Sequence, residues 1–337
     1  MSSDLIAHFD ALIRRDPARR GLISSEEQYG QLCPGHLHAA ATHLAGHANC
    51  VAIVTGFYIP RGEPPAAETD GPLGSLVLAS ALSRIGIRAI VITDSLCSPA
   101  VRATAAALDF PQSEVWECPF ALGDWCAEFW KTKTGRELTH LIALERVGPS
   151  HTLESLEAQT RTGEVPESAF LQRVPRESWN HSHNMRGEVI DAHTAPLHQL
   201  FESSRLIRPD VKQIGIGDGG NEIGMGSIPW EELVRRLQGD HSARIPCRIA
   251  TDWNIVAGTS NWGGYALAAA TLLLRGQIDV LRPFTFEQQE DVLKHTVQHG
   301  PAVDGVTRRR EPTVDGLPFL TYIQPWLGMR HLLGWDE

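Results

Sequence analysis

The chain has 337 residues, of which 42% are hydrophobic and 21% are charged, and its formal net charge is -10. This length and composition are typical of a soluble globular protein with ample chain for a buried core. The acidic balance disfavours a nucleic-acid partner, because binding phosphates requires a basic surface.

Short-range patterns disfavour three further classes. No apolar run is long enough to cross a membrane, and the N-terminus lacks the apolar segment of a signal peptide. The six cysteines form no CxxC pair, which indicates reduced thiols and predicts a cytoplasmic protein. The four lysines lie in neither a Schiff-base nor a P-loop context, so we expect neither pyridoxal phosphate (PLP) nor ATP as a cofactor.

The predicted elements alternate between helices and strands along the chain. An N-terminal helix ends at Pro17, and buried strands are predicted over 51–55, 89–93, 115–118, 138–144 and 211–216. Helices are predicted between and after these strands. This alternation predicts an α/β fold, with a mostly parallel sheet and helices on both faces in a Rossmann-like three-layer architecture.

One stretch interrupts this alternation. Residues 148–179 turn polar and lose periodicity, which is typical of an exposed insertion or a lid. Neither an internal repeat nor a low-complexity linker divides the chain. We therefore predict a single domain over residues 1–337 that carries this insertion.

Acidic residues follow the predicted strands. Asp70, Asp94, Glu145, Asp218 and Asp252 all lie at or just beyond predicted carboxyl ends, the last of them after a short strand at 249–251. Any one of them could be a solvated loop residue or a helix cap. Because ligands bind at the carboxyl ends of parallel strands, five acids at equivalent places favour a shared acidic pocket.

The most unusual stretch is residues 214–226, where a buried strand runs into a loop with six glycines. Asp218, Asn221 and Glu222 lie within it and offer oxygen ligands. The glycines at 215–220 match the GxGxxG dinucleotide pattern. However, Asp218 and Glu222 would repel a phosphate, and the later glycines interrupt any helix. We therefore expect no NAD. Taken alone, the loop is also compatible with a glycine-rich turn that carries solvated acids.

Several short sequence motifs occur in a specific order along the chain. They are TGF at 55–57, ETDGP at 68–72, ER at 145–146, NMRG at 184–187, GDGGNE at 217–222, GMG at 224–226, SNWGGYA at 260–266 and VDGLP at 314–318. This set resembles the C-terminal catalytic domain of the D-glutamate cyclase family. The resemblance implies an α/β hydro-lyase that interconverts D-glutamate and 5-oxo-D-proline, with a divalent cation, Mg²⁺ or Mn²⁺.

The chemistry of that reaction suggests which residues bind the cation. Lactam formation needs a polarised carboxyl group and a stabilised oxyanion, which a cation on hard oxygen ligands supplies. We predict Asp218, Glu222 and Glu145 as metal ligands, with Asn221 or Asp252 completing the shell.

The remaining roles are proton transfer and substrate binding. Asp70 is the predicted general acid/base, with Glu68 as the second choice. Arg186 is predicted to bind the substrate α-carboxylate and Arg146 is the second choice, although both arginines could instead pair with acids of the pocket. The other predicted substrate-binding residues are Thr69, Asn184 and Asn261.

Two other kinds of function stay open at this point. Acids that hold a cation at strand ends also suit a metal-dependent hydrolase or phosphatase acting on another small anion. A small-molecule sensor without turnover would need the same pocket. Aromatic residues in the C-terminal part suit either the core or a subunit contact, so a homo-oligomer is also open.

Overall fold

The computed structural model describes residues 2–335, and within them the chain forms ten strands. Six of these strands form one parallel sheet in the order β5-β4-β1-β6-β7-β8, while β2 pairs with β3 and β9 pairs with β10 as short antiparallel ladders. The strands are β1 Cys50–Thr55, β2 Tyr58–Ile59, β3 Ala66–Ala67, β4 Arg88–Asp94, β5 Val115–Cys118, β6 His140–Leu144, β7 Lys212–Gly217, β8 Trp253–Val256, β9 Thr313–Val314 and β10 Leu317–Pro318.

Fifteen α-helices surround the sheet in the same described part of the chain. They are α1 Ser2–Ile13, α2 Glu26–Tyr29, α3 His36–His47, α4 Pro72–Arg84, α5 Ser98–Ala107, α6 Trp125–Lys131, α7 Lys133–Glu137, α8 Leu153–Ala158, α9 Glu167–Arg173, α10 His198–Ile207, α11 Trp230–Val234, α12 Ser260–Leu274, α13 Phe286–His299, α14 Phe319–Tyr322 and α15 Gln324–Leu332. Across residues 2–335, no helix combines the length and apolar character that crossing a bilayer requires.

The central strands are apolar throughout because both faces of the sheet are covered. In β1, Val51 and Ile53 pack into one hydrophobic cluster with α4 and α12, while Ala52 and Val54 pack into a second cluster on the opposite face. Successive side chains of a strand point to opposite faces, so a doubly covered strand has no place for polar residues. The predicted three-layer α/β fold is confirmed.

The helices α4 and α12 cross closely at glycines. A Cβ on Gly74 would lie 2.6 Å from the Cα of Asn261, and a Cβ on Gly264 would lie 2.8 Å from the carbonyl oxygen of Gly74. Real side chains do not tolerate such distances, so glycine is needed at both positions. This crossing brings the N-terminus of α12 against the loop that precedes α4.

The last strand of the sheet begins later than the sequence pattern predicts. Residues 249–251 were expected to form it, but β8 starts at Trp253. Ile249 instead accepts backbone hydrogen bonds from Gly224 and Gly226 of the glycine-rich loop, and its side chain is buried beneath that loop. Asp252 therefore precedes the strand and lies at its amino end, so its predicted place at a carboxyl end is wrong.

The polar stretch 148–179 contains the short helices α8 and α9. Leu156, Phe170 and Val174 from this stretch form a small buried cluster with Trp230 and Val234 of α11. This cluster is separate from the two that cover the sheet. The stretch is thus anchored through its own apolar contacts.

The helix crossing yields a prediction on stability. Gly74→Ala should destabilise the protein by about 1–3 kcal/mol, because the added methyl group meets backbone that cannot move aside. The control is Gly46→Ala in α3, where a Cβ would meet nothing within 4 Å. That change should be neutral or stabilise the protein by up to about 1 kcal/mol. Urea unfolding of both variants tests this, and equal effects would contradict it.

Candidate active site

A cavity of 510 Å³ contains several of the predicted site residues. Acidic side chains and arginines line it together. The acids are the buried Glu68, Glu145, Asp218 and Glu222 and the partly exposed Glu188, and the arginines are Arg19, Arg20, Arg61, Arg186 and Arg308. A site of this composition can bind a small anion while it holds a cation or protons among its acids.

Three buried carboxylates form the centre of the site. Asp70, Glu145 and Asp218 each offer an oxygen, and these atoms lie within 4.8 Å of one another. Glu145 directly follows β6 and Asp218 directly follows β7, and the two strands are neighbours in the sheet. The parallel topology therefore brings together acids that are 73 residues apart, as their places after predicted strands indicate.

Asp70 reaches this centre because α12 and the loop before α4 hold each other. The Asp70 carboxylate accepts hydrogen bonds from the backbone N–H groups of Ser260 and Asn261, both at 2.8 Å. In return, Asn261 Oδ1 accepts from the N–H groups of Gly71 and Gly74 at 3.0 and 2.7 Å. A carboxylate at a helix N-terminus satisfies donors that have no partner within the helix.

Glu145 is held in an unusual backbone conformation. Its φ is +48°, which lies in the left-handed region. Its Oε2 accepts a hydrogen bond from Ser260 Oγ at 2.5 Å. The nearby hydroxyl of Thr55 is buried without a hydrogen-bond partner, and it lies beside Gly71, where an added Cβ would be 2.9 Å from the Thr55 Oγ1 and 3.0 Å from the Glu145 Cβ.

Glu222, a predicted metal ligand, instead organises the glycine-rich loop. Its carboxylate accepts hydrogen bonds from the N–H groups of Asp218, Gly219 and Gly220 at 3.2, 2.6 and 2.8 Å. It lies outside the group of three close carboxylates. Asn221 also lines the cavity, but its Nδ2 donates to the carbonyl oxygen of His183 at 2.8 Å. The loop is thus folded around its own acid, and no α-helix begins between this loop and Trp230.

Two residues of the site were not identified from the sequence. Arg20, from the loop after α1, donates hydrogen bonds to Asp218 and to Asp315 Oδ1, the latter at 2.9 Å. Asp315 is buried in the turn between β9 and β10. The VDGLP string contains Asp315 and could have indicated it, whereas no local pattern distinguishes Arg20 from other arginines near the N-terminus.

Burial makes the carboxyl groups of this site weak acids. It raises the pKa of Asp70 from 3.8 to about 8, with a further rise from Asp315 and opposition from the N–H groups of Asn261 and Ser260. Burial, followed by neighbouring acids, also raises the pKa of Glu68 and of Glu145 well above the usual value. The pKa of Asp218 is raised by burial even though Arg20 opposes the shift. These raised pKa values favour the protonated forms of the carboxyl groups, because Arg20 alone does not offset their burial and mutual repulsion.

Arg146, the second choice for the substrate carboxylate, has other partners. Its side chain is 1% exposed and forms an ion pair with Asp94 at 2.7 Å. It also donates to the carbonyl oxygens of Gly56 and Ala195 at 2.9 and 2.6 Å. Arg146 thus links the carboxyl ends of neighbouring strands and does not line the cavity, and Asp94 is likewise used in this ion pair rather than in the acidic pocket.

Asp252 cannot share an ion with Asp218. Its carboxylate accepts from the N–H of Gln213 at 2.7 Å and from Arg205 at 3.0 Å. Gln213 is near the start of β7, whereas Asp218 follows the end of the same strand. The two acids are therefore at opposite edges of the sheet, which corrects the prediction that Asp252 completes the metal shell.

The other predicted substrate-binding residues divide into two groups. Thr69 and Asn261 are buried and do not line the cavity; the Thr69 hydroxyl donates to Thr313 O at 2.7 Å. Asn184 and Arg186 do line it. Asn184 Oδ1 accepts from the N–H groups of Arg186 and Glu188, so it shapes the turn that presents the exposed Arg186 side chain.

The stretch 148–179 contributes no residue to the lining of this cavity. Six of its residues, between Thr152 and Thr160, instead line a second cavity of 930 Å³ together with Asp252. The stretch therefore lies outside the lining of the site, and a role as a lid stays a prediction. Whether the stretch is an insertion remains a prediction.

Sequence comparison agrees with the family that the motifs suggest. The family profile described as "D-glutamate cyclase-like, C-terminal" matches residues 9–162 and 166–324, which is most of the chain. The chain belongs to the D-glutamate cyclase-like family. It is also similar to a protein of Homo sapiens named "D-glutamate cyclase, mitochondrial", with 29% identity over 282 residues. That match covers 81% of this chain and 39% of the relative, so the chain spans less than half of the relative's length.

The raised pKa values of this cyclase-like site predict how stability depends on pH. Asp70 is protonated in the folded protein and ionised in the unfolded chain between its ordinary pKa of 3.8 and its folded pKa of about 8. Its stabilising contribution is complete below the lower value and is lost as pH rises through the higher one. In chelator, we expect Asp70 to lower the melting temperature as pH rises from 3.8 to about 8 and to add no further slope above the higher value.

The matched variant for this measurement is Asp70→Asn, which keeps the shape of the side chain and removes its titration. It should flatten part of the slope of melting temperature against pH. An identical slope in both proteins would show that Asp70 does not titrate in this range.

Proposed function

We propose that the protein interconverts D-glutamate and 5-oxo-D-proline, with loss or gain of water, in the 510 Å³ cavity. The observation that carries the proposal is the group of three buried carboxylates beside arginines, in a chain of the D-glutamate cyclase-like family. The printed name of the human relative supports the choice of substrate. A small anion needs the arginines for binding, and lactam chemistry needs the acids.

A divalent cation fits the three carboxylates. Asp70, Glu145 and Asp218 supply hard oxygen ligands of the kind that Mg²⁺ and Mn²⁺ prefer. Of these three, Arg20 pairs only with Asp218, and the partnerless hydroxyl of Thr55 offers a further oxygen nearby. When bound, such a cation would polarise the γ-carboxyl group and stabilise the oxyanion that forms on it.

The reaction needs little more than proton transfer once the substrate is oriented. Lactam formation makes a bond from the amine nitrogen to the γ-carboxyl carbon and breaks one carbon–oxygen bond of that carboxyl group. The ammonium group loses two protons, and the departing oxygen needs two protons to leave as water. One group that accepts and donates protons beside the cation site therefore serves both directions.

Glu68 fits this role better than Asp70. Its carboxyl group lines the cavity and receives no hydrogen bond from any residue that the structure describes. Burial raises the pKa of Glu68 well above the usual value, which favours its protonated form. Both oxygens of Asp70, by contrast, accept backbone N–H groups. We therefore assign proton transfer to Glu68 and cation binding to Asp70, which exchanges their sequence-based order.

Arg186 is suited to hold the α-carboxylate at the mouth of the cavity. Its side chain is exposed and forms no ion pair within residues 2–335, unlike Arg61, which pairs with Glu188 at 2.8 Å. A guanidinium group binds a carboxylate through two parallel hydrogen bonds. The substrate would then be oriented with its γ-carboxyl group towards the acids.

A cytoplasmic location and a homo-oligomer stay predictions from the sequence.

The proposed reaction is tested by product formation from both enantiomers of glutamate and of 5-oxoproline, with Mg²⁺, with Mn²⁺ and with chelator. We expect turnover of the D pair that depends on the cation. A panel of phosphorylated metabolites assayed beside them tests the hydrolase alternative. Folded protein that stabilises on ligand addition but turns over none of these compounds would favour the sensor instead.

The role of Glu68 is tested by Glu68→Gln. Removing a general acid/base typically lowers the rate by about 10²- to 10⁴-fold, so kcat should fall by that amount in both directions. The cation affinity should change little, because Glu68 is outside the group of three carboxylates. The control is Glu63→Gln at an exposed position before β3, which should retain wild-type kcat. Retained activity in Glu68→Gln would return proton transfer to Asp70.

A further inference from the structure

Arg20 is the only lysine or arginine, among the residues that the structure describes, that forms an ion pair with one of the three close carboxylates. Its partner in that group is Asp218, and its second partner is Asp315. The Arg20 side chain is 16% exposed and lines the cavity. It therefore contacts both the acids and the space in which a substrate would lie.

The backbone that carries Arg20 is fixed by its own loop. The carboxylate of Asp16 accepts the N–H groups of Arg20 and Gly21, both at 2.8 Å, and the Ser24 hydroxyl at 2.6 Å. Gly21 has a φ of +101°, and an added Cβ would lie 2.0 Å from Arg236 O. These contacts hold the loop backbone in place, so only the long side chain of Arg20 can change its partners.

Charge decides which partners Arg20 keeps. A guanidinium group and a divalent cation on the same Asp218 carboxylate repel each other, and the repulsion is strong because the site is buried. An anionic substrate, for its part, is repelled by the acids unless a positive charge meets it. Moving the guanidinium group of Arg20 from Asp218 to the substrate α-carboxylate would relieve both repulsions. This exchange is possible because a guanidinium group binds a side-chain carboxylate and a substrate carboxylate in the same way.

We propose that Arg20 couples cation binding to substrate binding. Its guanidinium neutralises Asp218 in the ligand-free site, leaves Asp218 when the cation binds, and then shares the α-carboxylate of the substrate with Arg186. This inference rests on the cation site of the proposed function. Because coupling between two ligands is reciprocal, the cation and the substrate each raise the affinity for the other.

The test is calorimetric titration of Mn²⁺ into the protein, with and without saturating 5-oxo-D-proline. In the wild type we expect the ligand to tighten Mn²⁺ binding by about fivefold or more. In Arg20→Gln, Mn²⁺ should bind the ligand-free protein more tightly than in the wild type, because no guanidinium competes for Asp218. The effect of 5-oxo-D-proline on that affinity should fall within about twofold of unity.

Two further variants make the test specific. Arg19→Gln removes a neighbouring arginine that also lines the cavity but has no ion pair with the described acids, and it should retain the coupling. Arg20→Lys keeps the positive charge, and it replaces Arg20→Gln if the latter fails to fold. It should lower the coupling by about threefold or more, because an ammonium group cannot grip a carboxylate with two parallel bonds.

The outcomes separate the two proposals. Wild-type coupling that persists in Arg20→Gln, or in Arg20→Lys if only that variant folds, overturns the role of Arg20 and leaves the cation site intact. Mn²⁺ binding that is indifferent to 5-oxo-D-proline in the wild type does the same. Absence of Mn²⁺ binding under both conditions overturns the cation site and the coupling together.

Discussion

The site depends on keeping several carboxyl groups close together away from water. Asp70, Glu145 and Asp218 repel one another when ionised, and burial disfavours their charged forms further. The protein offsets this cost with oriented donors: the first N–H groups of α12 bind Asp70, the Ser260 hydroxyl binds Glu145, and Arg20 binds Asp218. Much of the architecture around the sheet edge, including the glycine crossing of α4 and α12, serves to place these donors.

Most of the fold and part of the site follow from local sequence. A short β-branched apolar run such as Val51 to Val54 favours a strand covered on both faces, and alternation with helices favours parallel strands. A residue directly after such a strand is then at the ligand-binding edge, which is why Glu145 and Asp218 were predicted to lie together. The glycine-rich loop was likewise predicted not to lead into a helix, because its acids and glycines oppose one.

The errors concern polar residues whose partners are distant in sequence. Nothing near Arg146 indicates that Asp94 neutralises it. Glu222 is an exception, because its carboxylate accepts N–H groups only two to four residues away, a contact that the residue types alone do not specify. Asp252 was misplaced because an apolar stretch at 249–251 resembles a strand but packs beneath the loop instead. Arg20 was not predicted as a site residue because its role depends entirely on acids that the fold brings to it.

The long sequence separation of the Arg20 contacts has a consequence for folding. Arg20 meets Asp218 across 198 residues and Asp315 across 295 residues. Contacts between distant segments cost loop-closure entropy and tend to form late, after local helices and neighbouring strands are in place. We therefore expect the Arg20 contacts to form after the acids have come together at the sheet edge. In a molecule that is still folding, a cation bound at these acids would act as a substitute for Arg20 and favour the assembly of the sheet edge.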